Sequence, residues 1–399
     1  MAGIRFIVAG RFIDGSGAPV RRNVFLAVKD GLIAAIGAAA DVPRPAGAVV
    51  EDLSHCTLVP ALVDCSVSLL QSPSVDREVR LSTAGAGSAE KSDLLARHSR
   101  YCHAHGVLGV ADSSDMVDMV KDYQEGRALE AIIDLRSSGP LCRSRQDCQA
   151  AQAAGLDFLK IGYSDNIEEP EASWPGLTPE ELGRILQHKG YRKAVVVANG
   201  RQQVGEALEA GCDAIEQGYA MGEENLREMA KRGVLWIPSL LRAKNALDSA
   251  GSGGDVCCRF SQRYVAPGKP LPGAEAFWQK TLAAHLTQLR LARKWGVTTA
   301  TGTGAGSAGI LHGEALVEEM KLFIKAGYWL EEAIRCASEN GARFFGMERL
   351  GTLTVGQKAT FLITRGTVQQ LPRKLSYLEG IYVDGARSTT YHKNPVRPA

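Results

Sequence analysis

Lys160 stands in "LDFLKIGYSD", an otherwise apolar run, and an amine in such surroundings has chemistry to offer. Burial disfavours its charged form, and a nearby carboxylate restores it. Asp64, Asp112, Asp165 and Glu216 are the candidate partners. With a lowered pKa the lysine would act as a base or form a Schiff base; locked in an ion pair it would be structural. Other apolar runs also end in polar residues: Ser66 and Ser68 in "VPALVDCSVSLL", Asp112, Ser137, Asn199, Glu216 with Gln217, and Ser239. The run "GTGAGSAG", residues 302–309, would present backbone N–H groups to an anion. No histidine belongs to this set, whereas a zinc site needs three or four His, Cys, Asp or Glu ligands at about 2.0–2.3 Å.

The elements that must position these residues repeat. Eight short apolar runs, among them "LVDCSVSL", "GVLGVADSSD", "KAVVVANG", "CDAIEQGYA" and "VTTATGTGAG", alternate with helical stretches. "TPEELGRILQHKG" and "EENLREMAKRG" carry apolar residues at three- and four-residue spacing and end on glycine. This α/β pattern predicts a parallel (β/α)8 barrel, in which the strand C-termini decide the chemistry. Both chain ends instead read as short strands with Asp-Gly hairpins, at Asp30-Gly31 and Asp384-Gly385. Because termini often lie close together, residues 1–57 and 346–399 are expected to form one small β-sandwich, with 58–345 as the barrel. The Gly-, Pro- and Ser-rich stretch within 240–280, which holds Cys257-Cys258, reads as an insertion on the site face and a lid candidate.

Composition narrows the classes. Of 399 residues 45% are hydrophobic and 23% charged, as in ordinary globular proteins. With 46 basic and 44 acidic residues the formal charge is +2, which gives no reason to expect nucleic acid or an anionic membrane as partner. No apolar run reaches the roughly 20 residues a membrane span needs. "MAGIRFIVAGRFIDGSG" reads as a strand rather than a signal peptide. Nine scattered cysteines suit reduced thiols and a cytoplasmic location.

Several stretches together resemble the amidohydrolase superfamily, in its imidazolonepropionase-like and prolidase-like branch. "LVPALVDCSVSLL" is similar to that family's Pro-Gly-Leu-Val-Asp-x-His-x-His-Leu motif, and "GLDFLKIGYSD" to its strand with a bridging lysine. "VVVANGRQQVGEALEAGCDAIEQG" resembles the run carrying its fifth- and sixth-strand histidines, and "GVTTATGTGAG" the strand ending Gly-Thr-Asp. The resemblance implies a barrel with a β-sandwich. It also implies a metal held by two histidines on strand one, a lysine on strand four, histidines on strands five and six, and an aspartate on strand eight. The corresponding residues are Ser66, Ser68, Lys160, Val197, Gln217 and Gly304, so only the lysine is retained.

Substitute ligands are not evident. Strand alternation turns Cys65 away from the side that Ser66 and Ser68 face. His103 and His105 precede the second strand and read as surface or half-buried residues at the barrel's other end. His312 follows the eighth strand, either at the mouth or in packing. The expectation is a protein with no metal and no cofactor that takes a small-molecule ligand in the barrel mouth. Besides the six positions above, Asp112, Asn199, Glu216, Ser239 and His312 are candidates to line it. Such a chain would be a non-hydrolytic pseudoenzyme, acting as a homo-oligomer or a subunit of an assembly. The alternatives are a metal-independent enzyme using Lys160, for isomerase, lyase or Schiff-base chemistry, and a metal-dependent C–N hydrolase with rearranged ligands.

Overall fold

Strands from both ends of the chain meet in one sheet. The computed structural model describes residues 4–43, 48–127, 132–168, 177–190, 192–250 and 272–393. The N-terminal strands are β1 (Arg5–Phe12), β2 (Arg21–Lys29), β3 (Leu32–Ala38) and β4 (Val49–Pro60). The barrel strands follow as β5 (Leu62–Val67), β6 (Val107–Asp112), β7 (Asp134–Ser137), β8 (Phe158–Ser164), β9 (Lys193–Ala198), β10 (Ala214–Gln217) and β11 (Leu235–Ile237). Last come β12 (Phe361–Thr364), β13 (Leu378–Val383) and β14 (Ala386–Arg387).

The terminal strands form a seven-stranded sheet in the order β14-β13-β12-β4-β1-β2-β3. Its hinge is β4, which pairs in parallel with β1 and antiparallel with β12. The strands expected as a sandwich are thus hydrogen-bonded into one continuous sheet that buries apolar residues in two clusters, one around Ile7, Leu26, Leu58 and Phe361, the other around Phe6, Phe25 and Ala27. Both Asp-Gly turns have positive φ at each residue, 50° and 80° at Asp30-Gly31 and 47° and 79° at Asp384-Gly385. That geometry matches the twist of the flanking strands and requires residues that tolerate it. A single residue, Ala61, separates β4 from β5, so the sheet passes directly into the barrel.

Seven barrel strands are regular and the eighth is not. Segment 298–305 lies between β11 and β5, donating from Ala300 to Trp236 and accepting from Trp236 at Thr298. On its other side Cys65 donates to Thr301, Gly304 to Ser66, and Ser68 to Ala305. Two glycines in this stretch, Gly302 and Gly304, explain its irregularity. Cys142 bridges β7 to β8 by exchanging hydrogen bonds with Lys160 and Gly162, which completes the ring.

Side chains alternate as a barrel demands. Phe158, Val195, Ala214, Leu235, Ile237 and Ala300 point inward, where Ala342, Phe345 and Met347 join them. Leu159, Ile161, Ala194, Val196, Ala198, Ile215 and Trp236 pack outward among the helices. Both faces are apolar, which is why the strands read as unbroken hydrophobic runs. The stretch 240–280 begins with a helix, Leu240–Ala250, and ends within another, Ala274–Trp295. Residues 251–271, with Cys257-Cys258, lie outside the described residues. Among the described residues no helix is long and apolar enough to cross a membrane.

Candidate functional site: the C-terminal mouth of the barrel

Three side chains from three strands meet inside the mouth. Lys160 of β8 lies 2.8 Å from Glu216 Oε2 of β10, with the two residues 6% and 2% exposed. Ser66 of β5 donates to Glu216 Oε1 at 2.8 Å, and Lys160 Nζ reaches Ser66 Oγ at 3.3 Å. Glu216 Oε2 makes no aligned hydrogen bond, so its contact with the lysine is ionic. Of the four acids that sequence reasoning offered to Lys160, the structure selects Glu216. Asp165 pairs with Arg143 at 2.7 Å. Asp64 accepts from Thr303 Oγ1 and from the amides of Thr303 and Ser66. Burial pushes its pKa up to about 6 against the pull of these donors. Asp112 accepts from the amides of Leu69 and Ser114 and from the Ser114 hydroxyl. It thereby braces the turn after β5 rather than presenting a free carboxylate.

Strict alternation does not hold along β5. Its register with β6 shifts between Asp64 and Val67, and this bulge turns Ser66 to the barrel interior. Cys65 joins the inward apolar cluster with Val63 and Ile237 and packs near Gly341. The reading that placed Cys65 away from the pocket by alternation is replaced by this one, because a bulge inserts an extra residue into the pleat. Ser68 turns toward Ser113, with the two hydroxyls 3.2 Å apart.

The ends of β10 and β11 are strained. Gln217 and Ser239 have φ of 73° and 48°, which non-glycine residues seldom adopt. Such outliers persist only where neighbours enforce them, and they cluster at functional sites. Gln217 is held by Asn199, which donates to its Oε1 at 2.7 Å, and by Trp236 Nε1, which donates to its carbonyl. Asn199 in turn accepts from the Tyr219 amide. Ser239 is held by the Tyr219 hydroxyl on its carbonyl, while His285 bonds the carbonyl of Pro238 and stacks on Tyr219 at 3.8 Å. The Ser239 hydroxyl is wholly buried and has no partner among the described residues. Val197 pairs with Glu216 across the β9–β10 ladder and offers no polar atom.

A second cation enters from the helix Leu240–Ala250. Arg242 lies against Gly304 so closely that a Cβ there would meet its Nε at 3.2 Å. The start of this helix is fixed by Glu319, buried on the helix Ala315–Lys325, which accepts from the amides of Leu240 and Leu241 at 2.8 Å each. Sequence reasoning missed Arg242, Glu319 and Tyr219. The available signal for Arg242 was a cation in the first turn after the seventh strand, on the barrel's active face.

The glycine run does not cradle an anion. The amides of Thr303, Gly304, Ala305, Gly306, Ser307 and Gly309 are all bonded within the protein. Closing the barrel through an irregular segment uses them up.

The four buried histidines, His98, His103, His285 and His312, are structural. His312 bonds the Ser68 carbonyl at 3.0 Å and stacks on His98 at 3.8 Å, while His98 bonds the carbonyl of Leu69. Together they brace the turn after β5 from behind. His103, expected at or near the surface, is buried, because the C-terminal segment covers it and Ser388 bonds its Nε2 at 3.1 Å. Burial lowers the pKa to about 3 for His312 and to about 4 for His103 and His285. A depressed imidazole contributes stability that is complete above its unfolded value near 6.5 and lost as pH falls toward the folded value. In an NMR pH titration these three rings should stay neutral through pH 5; a His312 midpoint near 6.5 would contradict the burial.

A divalent cation, which the family resemblance implies, needs several converging donors. The six positions supply two hydroxyls, an amine paired with Glu216, an isopropyl group, an amide held by Asn199, and a glycine whose space faces a guanidinium. Among the described residues no group of three or more His, Cys, Asp and Glu converges as metal ligands would. The guanidinium of Arg242 beside Gly304 also opposes a metal there by charge. The donor set does not fit such an ion.

Comparison with known proteins fits the architecture. Ochratoxinase of Aspergillus niger is 23% identical over 412 residues, covering 90% of this chain and 80% of that protein. Its crystal structure superposes with a TM-score of 0.76 at 19% identity, covering 97% of this chain and 95% of that one. A Xaa-Pro dipeptidase structure with bound methionine superposes at 0.78 with 19% identity, covering 97% of this chain and all of the other. A family model described as the amidohydrolase family matches residues 170–391, more than half of the sequence, and with the barrel and terminal sheet already built, the chain belongs to that family.

Proposed function

We propose that this amidohydrolase-family chain does not hydrolyse through a metal and that its barrel mouth is a ligand site organised by side chains. The carrying observation is the Lys160–Glu216 contact at 2.8 Å, with Ser66 on the other carboxylate oxygen. A lysine that bridged metals would have its terminal atom directed to them; here that atom faces a carboxylate from the same barrel. On this reading the protein is a pseudoenzyme that binds a small molecule, alone as a homo-oligomer or as a subunit of an assembly.

Elemental analysis of protein expressed with zinc, manganese, iron and nickel supplied should find well under one equivalent of any of them. Assays on N-acyl amino acids, lactones, cyclic amides, ochratoxin and Xaa-Pro dipeptides should find no metal-dependent turnover. The ochratoxin and dipeptide assays follow from the relatives' names. Stoichiometric metal with hydrolysis abolished by chelation would overturn the proposal.

A second reading has one observation in its favour, the 3.3 Å approach of Lys160 Nζ to the Ser66 hydroxyl. In it Lys160 performs metal-independent isomerase, lyase or Schiff-base chemistry. Borohydride trapping of a carbonyl substrate on Lys160 would support it, and turnover unchanged in Lys160→Ala would remove it.

A further inference from the structure

We infer that the ligand of the barrel mouth carries a carboxylate and that Arg242 holds it. The inference rests on the metal-free ligand site proposed above and names the class of molecule that site takes.

Four acids at or beside the strand ends are engaged. Glu216 faces Lys160, Asp64 is bonded by Thr303, Asp112 by Leu69 and Ser114, and Glu319 by Leu240 and Leu241. Arg242 is the unmatched charge. Its guanidinium makes a single long hydrogen bond, from Nη2 to Ser307 Oγ at 3.4 Å, and no carboxylate among the described residues lies within ion-pair distance. Its Nε is buried without an acceptor among the described residues. A guanidinium carries five donors in a planar fork, so most of its capacity is open.

Geometry adds a second element. Gly304 opens the space in which the guanidinium lies, since a Cβ there would come within 3.2 Å of Nε and 3.7 Å of Nη2. The Gly304 amide donates to the carbonyl of Ser66, so Arg242 stands beside the strand that carries the Lys160 and Glu216 contacts. Ser239, wholly buried with an unpartnered hydroxyl, accepts from the Arg242 amide at 3.2 Å. Six of the eight backbone amides of the glycine run, those of Thr303 to Ser307 and of Gly309, are already bonded within the protein and do not bind an anion in its place. A carboxylate matches the fork with two coplanar oxygens.

The test uses matched carboxylates and amides: benzoate with benzamide, glutarate with glutaramide, and N-acetyl-L-phenylalanine with its amide. Saturation-transfer NMR and isothermal titration on the full chain read the affinities. At least one carboxylate should bind about tenfold or more tighter than its amide, the effect expected of a charge-assisted pair. Arg242→Gln should bring that ratio to about one. Gly304→Asp, which sets an internal carboxylate beside the guanidinium, should do the same, with circular dichroism reporting the fold of both variants. Absence of binding by all three carboxylates, equal binding of the amides, or a preference that survives Arg242→Gln would overturn the inference. Equal binding of amides by metal-free protein would leave the ligand-site proposal standing, whereas stoichiometric metal would remove that proposal itself.

Discussion

Lys160→Met is expected to lower the free energy of unfolding by about 3–5 kcal/mol, because it strands the Glu216 carboxylate in the barrel interior without a counter-charge. Glu216 is almost wholly buried, and its remaining partner, the Ser66 hydroxyl, is neutral. Replacing the whole cluster is a different perturbation. A triple variant, Ser66→Ala with Lys160→Met and Glu216→Leu, removes both charges and the hydroxyl together, and should be near neutral or more stable than wild type. Urea unfolding of the single and triple variants reads the difference. A loss below about 1 kcal/mol for Lys160→Met would mean that the carboxylate is satisfied some other way, and the ion pair would lose its place as organiser of the mouth.

Glu319→Ala carries a comparable effect by another route. Its carboxylate accepts from two consecutive buried amides at the start of the helix that bears Arg242. Each amide left without a partner costs about 1–3 kcal/mol, so the variant should lose about 2–6 kcal/mol of stability. Arg242-dependent ligand binding should weaken with it, because the same helix end sets the guanidinium beside Gly304. Glu319→Gln, which accepts through one oxygen only, should fall between. Burial pushes the Glu319 pKa from 4.5 up to about 8, with the two amides pulling the other way. A raised carboxyl pKa gives stability that is present below the unfolded value and lost as pH rises through the folded one. The advantage of wild type over Glu319→Gln should therefore narrow between about pH 4.5 and pH 8. An advantage that widens with pH would reverse the assignment of burial as the larger influence.

The two predictions depend on contacts of different legibility. The strand runs, the Asp-Gly hairpins and the polar strand ends were readable because each is local: a short unbroken apolar run, a pair of residues that accept positive φ, a polar residue closing an apolar run. The capped helix Pro179–Gln187 was readable for the same reason, with Thr178 and Glu181 forming its capping box. Lys160 was legible as the residue to weigh, but its partner was not. Asp64, Asp112, Asp165 and Glu216 were equal candidates until strands four, six and one closed on one another. Ser66 was expected at the mouth; that Cys65 shares the barrel interior with it follows from a bulge, which alternation cannot anticipate. His103 looked peripheral because the segment that buries it arrives from the far end of the chain.

The sequence by itself determined which atoms stand at the six positions where the family resemblance implies metal ligands: hydroxyls, an amide, one lysine, an isopropyl group and a glycine. Donor identity is a covalent property, so no folding step can add what the residues lack. Only the tertiary structure decided which of those atoms meet. The choice of Glu216 for Lys160 and the approach of Arg242 to Gly304 depend on separations of about 3 Å between residues far apart in the chain, and barrel closure, the bulge and the Glu319 cap together set them.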